Sequence, residues 1–175
     1  MRSTLVVLAV CLGGCATAAR PPVSQPVLQD EGSLYVYLAP LPHESRRLTF
    51  EVQALTAAAE GGQVTPLQVA LQKISGPEQG RGERLLATGR LAPGRYAGLR
   101  ITVANARLAG DGQPVSLTVG EEPARIDAPF DVRSGQAVVL TLQFDPARSI
   151  RGGVEFTPRL TGAVPARTPP TLVGA

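Results

Sequence analysis

Residues 91–119, LAPGRYAGLRITVANARLAGDGQPVSLTV, decide the fold class. Pro93 presets its own backbone angle and Gly94 accepts positive φ, which predicts a type II turn at the head of the stretch. Leu99, Ile101 and Val103 then alternate with Arg100 and Thr102. This is the period of two that a half-buried strand needs, because successive side chains point to opposite faces. The apolar phase next moves to Ala104, Ala106 and Leu108, and such a shift predicts a bulge near Ala104. Gly110-Asp111-Gly112 reads as a hairpin tip, returning through Val115, Leu117 and Val119. Tyr96, just after the turn, is placed to brace a corner through its hydroxyl.

The same alternation continues on both sides. Upstream, Leu34, Val36 and Leu38 fall on one face with Tyr35 and Tyr37 on the other. Leu48, Phe50, Val52 and Ala54 alternate with Thr49, Glu51 and Gln53, and Leu67, Val69 and Leu71 form a third set. Arg84 to Thr88 reads as a short edge strand, and Ala54 to Glu60 as a helix-like stretch that sustains at most one turn before Gly61-Gly62. Downstream, Ile126, Ala128, Phe130 and Val132 form one strand, at an edge because Pro129 lacks a ladder donor. Val138, Leu140, Leu142 and Phe144 follow the Ser134-Gly135 turn, and a last strand runs through Val154 and Phe156. Seven to nine short strands predict an all-β, two-sheet antiparallel sandwich of transthyretin-like or Ig-like type over residues 33–160.

The 175 residues are the size of one domain with tails. Of 17 basic side chains 16 are Arg, scattered along the chain and balanced by 14 acidic groups, so no single-sign stripe for a phosphate backbone forms. Nucleic acid is therefore not expected as a partner.

The first residues read as a targeting segment. Arg2 precedes the apolar run Leu5 to Leu12, which is too short to span a bilayer and ends at Gly13-Gly14. Leu12-Gly13-Gly14-Cys15 resembles the bacterial lipobox, in which the cysteine is joined to diacylglycerol before cleavage. The resemblance implies a signal peptide over residues 1–14, a lipidated Cys15, and a membrane anchor in the cell envelope. Ala16, where an Asp would retain enteric lipoproteins in the inner membrane, favours the outer membrane. Ordinary secretion is the alternative, since Ala16-Thr17-Ala18 satisfies the small-x-small rule of the general signal peptidase. Cys11 would leave with the leader, so no internal disulfide is expected. Residues 15–32, with three prolines and no apolar period, read as a stiff tether, and residues 161–175 as a disordered tail.

Four features together resemble the bacterial domain-of-unknown-function family numbered 4382, whose members are secreted or lipid-anchored sandwiches of transthyretin-like or carboxypeptidase-regulatory-like type. They are the opening Gly32-Ser33-Leu34-Tyr35-Val36, the Pro93-Gly94-Arg95-Tyr96 turn with Leu99-Arg100-Ile101, the Gly110-Asp111-Gly112 hairpin, and Phe156-Thr157-Pro158. The family's Thr-Asp-Ala-Pro after its first strand is replaced by Leu38-Ala39-Pro40-Leu41-Pro42, which lacks the acidic residue. The likeness implies fold and location and brings no active site with it.

Residue chemistry is sparse. His43 is the single histidine, beside Glu44 in a proline-rich loop; no Gly-x-Ser-x-Gly elbow or His-Glu-x-x-His motif accompanies it, so it reads as a solvated loop residue. Calcium would need six to eight oxygens, and Asp111 has no acidic neighbours to supply them. No catalytic, cofactor or metal residue is assigned. Tyr35 and Tyr37, on one side of one strand, are the possible contact face. The expected role is a non-catalytic envelope module that binds a protein or glycan; a structural or assembly tether, or a hydrolase with an unrecognised site, are the alternatives.

Overall fold

The computed structural model describes residues 30–76, 82–110 and 112–164. The leader, Cys15, most of the tether, Asp111 and the last eleven residues lie outside them. The described chain is all-β. Its strands are β1 (Gly32–Leu38), β2 (Leu48–Ala59), β3 (Val64–Val69), β4 (Lys73–Ser75), β5 (Arg84–Leu91), β6 (Gly94–Leu108), β7 (Val115–Ser116), β8 (Thr118–Val119), β9 (Ala124–Val132), β10 (Ala137–Phe144), β11 (Ile150–Arg151), β12 (Glu155–Phe156) and β13 (Leu160–Ala163). A 3-10 turn at His43–Ser45 and one helical turn, α1 (Pro146–Ser149), complete the described elements. Asp145 caps α1 by accepting from the Arg148 N–H at 3.1 Å, and Pro146 opens it where no N–H is needed.

The strands do not divide into two separate antiparallel sheets. Ten of them form one ladder in the order β13-β10-β1-β5-β3-β2-β6-β7, with β4 beside β2 and β9 beside β6, while β11, β12 and β8 make a small second sheet. The curl arises at β3, whose first part pairs with β2 and whose Gln68 and Val69 pair with Thr88 and Ala87 of β5. β1 and β10 are parallel, Ser33 opposite Ala137 through Leu38 opposite Leu142, and so are β8 and β12. A parallel pair needs a long crossover, and nearly the whole domain lies between β1 and β10.

Other expectations are corrected. Ala54 to Ala59 continues β2 rather than turning, because Leu55 and Ala57 are buried between paired neighbours on β3 and β6. β5 is no edge strand; it sits between β1 and β3. The ordered ladder begins at Gly32 and runs to Ala163, one residue before and three after the expected limits. Leu160–Ala163 escapes a hydrophobic pattern because Gly162 must be small: a Cβ there would lie 2.4 Å from Ala128 Cβ on β9. Pro93 forms a bend and Gly94 opens β6 at φ +154°, far from the roughly +80° of a type II turn.

Alternation is realised most fully in β9, where Ala124, Ile126, Ala128, Phe130 and Val132 are buried and the residues between them exposed. β9 pairs with β6 alone, as Pro129 suggests for an edge. One core gathers Leu34, Val36, Leu55, Leu86, Ile101, Ile126, Leu140 and Leu142. Phe50, Phe144 and Phe156 close one end with ring centroids 5.0–6.4 Å apart. At the other end Tyr96 stacks on Phe130 at 5.0 Å.

Candidate functional site

Register decides which side chains share a surface. On β1 the inward set is Leu34, Val36 and Leu38, so Ser33, Tyr35 and Tyr37 face outward together; Tyr35 is 38% exposed and Tyr37 half-buried. Opposite Ser33 lie Ala137 and Arg90; opposite Tyr35 lie Val139 and Thr88; opposite Tyr37 lie Thr141 and Leu85. Gln68 continues the Tyr35 row beyond Thr88, and Ala163 continues the Tyr37 row beyond Thr141. The two tyrosines are therefore brought together as expected. Their surroundings were not legible in the sequence, because periodicity assigns a side chain to a face but not a strand to a neighbour.

Among the strand residues of this surface one is charged, Arg90, which is exposed and makes no ion pair among the described residues. The outer surface of β4, β2, β6 and β9 is different. It carries Glu51, Lys73, Arg95, Arg100, Arg107, Arg125, Asp127 and Asp131, eight charged groups on four strands. Several neutralise one another: Arg125 bonds Asp127 at 2.7 Å, and Arg95 reaches Asp131 at 3.4 Å and Glu60 at 3.8 Å. The tyrosine face is thus polar but nearly uncharged, in contrast to the charged outer surface of β2, β6 and β9.

The tyrosine face is indented. Ser33, Tyr35, Pro66, Gln68, Thr88 and Arg90 surround a depression of about 520 Å³. A second hollow of about 390 Å³ lies over the charged face, between Gln53, Asn105, Ser116 and Glu121. It exists because of the bulge predicted near Ala104. The ladder slips there, Thr49 pairing with Arg107 but Glu51 with Ala104, and Asn105 takes φ +51°. Asn tolerates the left-handed region better than other side chains, and its Nδ2 donates to Glu51 Oε2 at 2.6 Å.

His43 is exposed in its 3-10 turn and lines neither hollow. Among the described residues no three His, Cys, Asp or Glu side chains lie where they could share a metal ion. No described helix is long and apolar enough to cross a membrane. Burial raises the Tyr96 phenol above its ordinary value near 10.

No family model matches the chain, and no curated protein matches it.

Proposed function

We propose that the chain is a lipid-anchored cell-envelope protein, held by diacylglycerol on Cys15, most simply in the outer membrane. In this reading it presents a non-catalytic sandwich module of the transthyretin-like kind, akin to the domain-of-unknown-function family numbered 4382. The module works by binding an envelope protein or glycan through the Tyr35 and Tyr37 face. The observation that carries the reading is the charge contrast: one charged strand residue on the tyrosine face against eight on the other. Anchoring adds to this, since confinement beside the membrane gives even modest contacts a high effective concentration.

Two experiments test it. Metabolic labelling with a palmitate analogue should mark the wild-type protein and not Cys15→Ser, which should leave the membrane fraction; several acyl chains at about 0.8 kcal/mol per buried methylene make the anchor effectively permanent. A photo-crosslinking residue at position 35 should capture an envelope component in intact cells, whereas the same residue at position 125 should not. His43→Ala should leave capture unchanged. Turnover of an ester, peptide or glycoside by the purified protein, abolished by His43→Ala, would instead make it a hydrolase.

A further inference from the structure

We infer that the tyrosine face takes a carboxylated polysaccharide, with a sugar ring lying on Tyr35 and a carboxylate held by Arg90. The inference rests on the binding-face reading above and names the chemistry of its ligand.

Shape comes first. The row Val139, Tyr35, Thr88 and Gln68 crosses four neighbouring strands, a span of about 14 Å at the usual strand spacing. Tyr35, Thr88 and Gln68 of this row line the hollow, and the row lies on an outer sheet surface, along which a polymer can run across the strands. A half-exposed tyrosine offers an apolar ring face with a polar tip, which suits the alternating C–H and O–H surfaces of a pyranose.

Composition comes second. Ser33, Tyr35, Tyr37, Thr88 and Thr141 supply hydroxyls that both donate and accept, and Gln68 supplies an amide with two donors and an acceptor. A ligand made of hydroxyls meets its complement in such a set. A protein partner would more often be met by a desolvated apolar centre with aromatic or Met anchors, yet the large aliphatic side chains here are Leu85 and Val139, both half-buried already, and the exposed Val64 at the far end of β3.

Charge decides the subclass. Arg90 sits on the rim of the hollow without an ion-pair partner among the described residues, and no strand residue on its face carries a carboxylate. A guanidinium presents a planar fork of donors that matches a carboxylate in two parallel hydrogen bonds. On the opposite face the arginines Arg95 and Arg125 already have acidic partners.

Binding of the full chain in detergent to polygalacturonate, measured by calorimetry beside its methyl-esterified form, tests this. Polygalacturonate should bind, the neutral ester at least tenfold more weakly. Arg90→Gln should erase that preference, and Tyr35→Ala should weaken both polymers about tenfold. Arg100→Gln, on the charged face, should change neither, which separates a site from general attraction to a basic protein. All three side chains are exposed, so unchanged melting temperatures are expected. Equal binding by wild type and Arg90→Gln, or equal loss with Arg100→Gln, overturns the inference. If neither polymer binds while the crosslinker at position 35 still captures a protein, the glycan fails and the binding face stands; if both fail, both readings fall.

Discussion

Tyr96 donates its hydroxyl to the carbonyl of Ala92, four residues earlier, at 3.0 Å. The bond ties the start of β6 back across the Pro93 bend, while the ring lies nearly flat on Phe130 with an interplanar angle of 6°. A corner is thus closed by one side chain that serves both backbone and core.

Tyr96→Phe keeps the stack and removes the bond, so it should cost about 0.5–1.5 kcal/mol, read as a lowered melting temperature. It should also change the response to alkali. Burial raises the phenol's pKa, so above the ordinary value near 10 the unfolded chain loses a proton that the folded protein keeps. The contribution is whole below that pH and is lost as pH rises through the raised value. Denaturation between pH 8 and 11 should therefore steepen in wild type relative to Tyr96→Phe; identical slopes would place the hydroxyl in solvent.

Gly94 and Gly98 should separate two kinds of glycine requirement. Both have positive φ, +154° and +149°, but a Cβ on Gly94 meets open space while one on Gly98 would lie 2.1 Å from the Ile126 carbonyl oxygen. Gly94→Val should cost about 1–3 kcal/mol from backbone strain alone. Gly98→Ala should cost more than Gly94→Ala, because β9 must also move away. Urea titration of the two alanine variants ranks them, and the reverse order would contradict this account.

At the bulge, Asn105→Gly should lie within about 0.5 kcal/mol of wild type, since the bond it loses is exposed. Asn105→Ala should cost about 1–2 kcal/mol, the penalty of a left-handed backbone with a plain Cβ. Equal effects from both would mean that the side-chain bond, not φ, sets the bulge.

Ser149 is buried, and its hydroxyl both donates to the Asp145 carbonyl at 2.5 Å and accepts from the Arg159 N–H at 2.8 Å. Ser149→Ala should cost about 1–3 kcal/mol by leaving that N–H without a partner. Hydrogen exchange at Arg159 should accelerate before the rest of the domain; uniform acceleration would show that the 145–159 segment unfolds only with the whole.

Long alternating strands were readable because each half-buried face imposes its period: β1, β2, β6, β9 and β10 all announce themselves. Strands of two or three residues, such as β4 and β11, are shorter than any period that reveals them. β13 was concealed for a different reason, since close approach to Ala128 excludes a bulky residue at position 162. The tyrosine pair was legible as a face. Arg90, Thr88 and Gln68 joined it only through strand order, for which the signal would have been a run of outward positions on 84–91 and 137–144 nearly free of charge.

The parallel seam between β1 and β10 has a consequence for the order of assembly. β1 lies between β5 and β10, so a nascent chain that has emerged only to Leu91 can form one side of β1 but not the other. Leu34, Val36 and Leu38 gain their partners Val138, Leu140 and Leu142 only when nearly the entire domain is free. Contacts so distant along the chain slow two-state folding towards the millisecond-to-second range. Closure of the core therefore waits for the C-terminal third of the chain, and until residues 137–142 are free the outer edge of β1 stays an open strand edge.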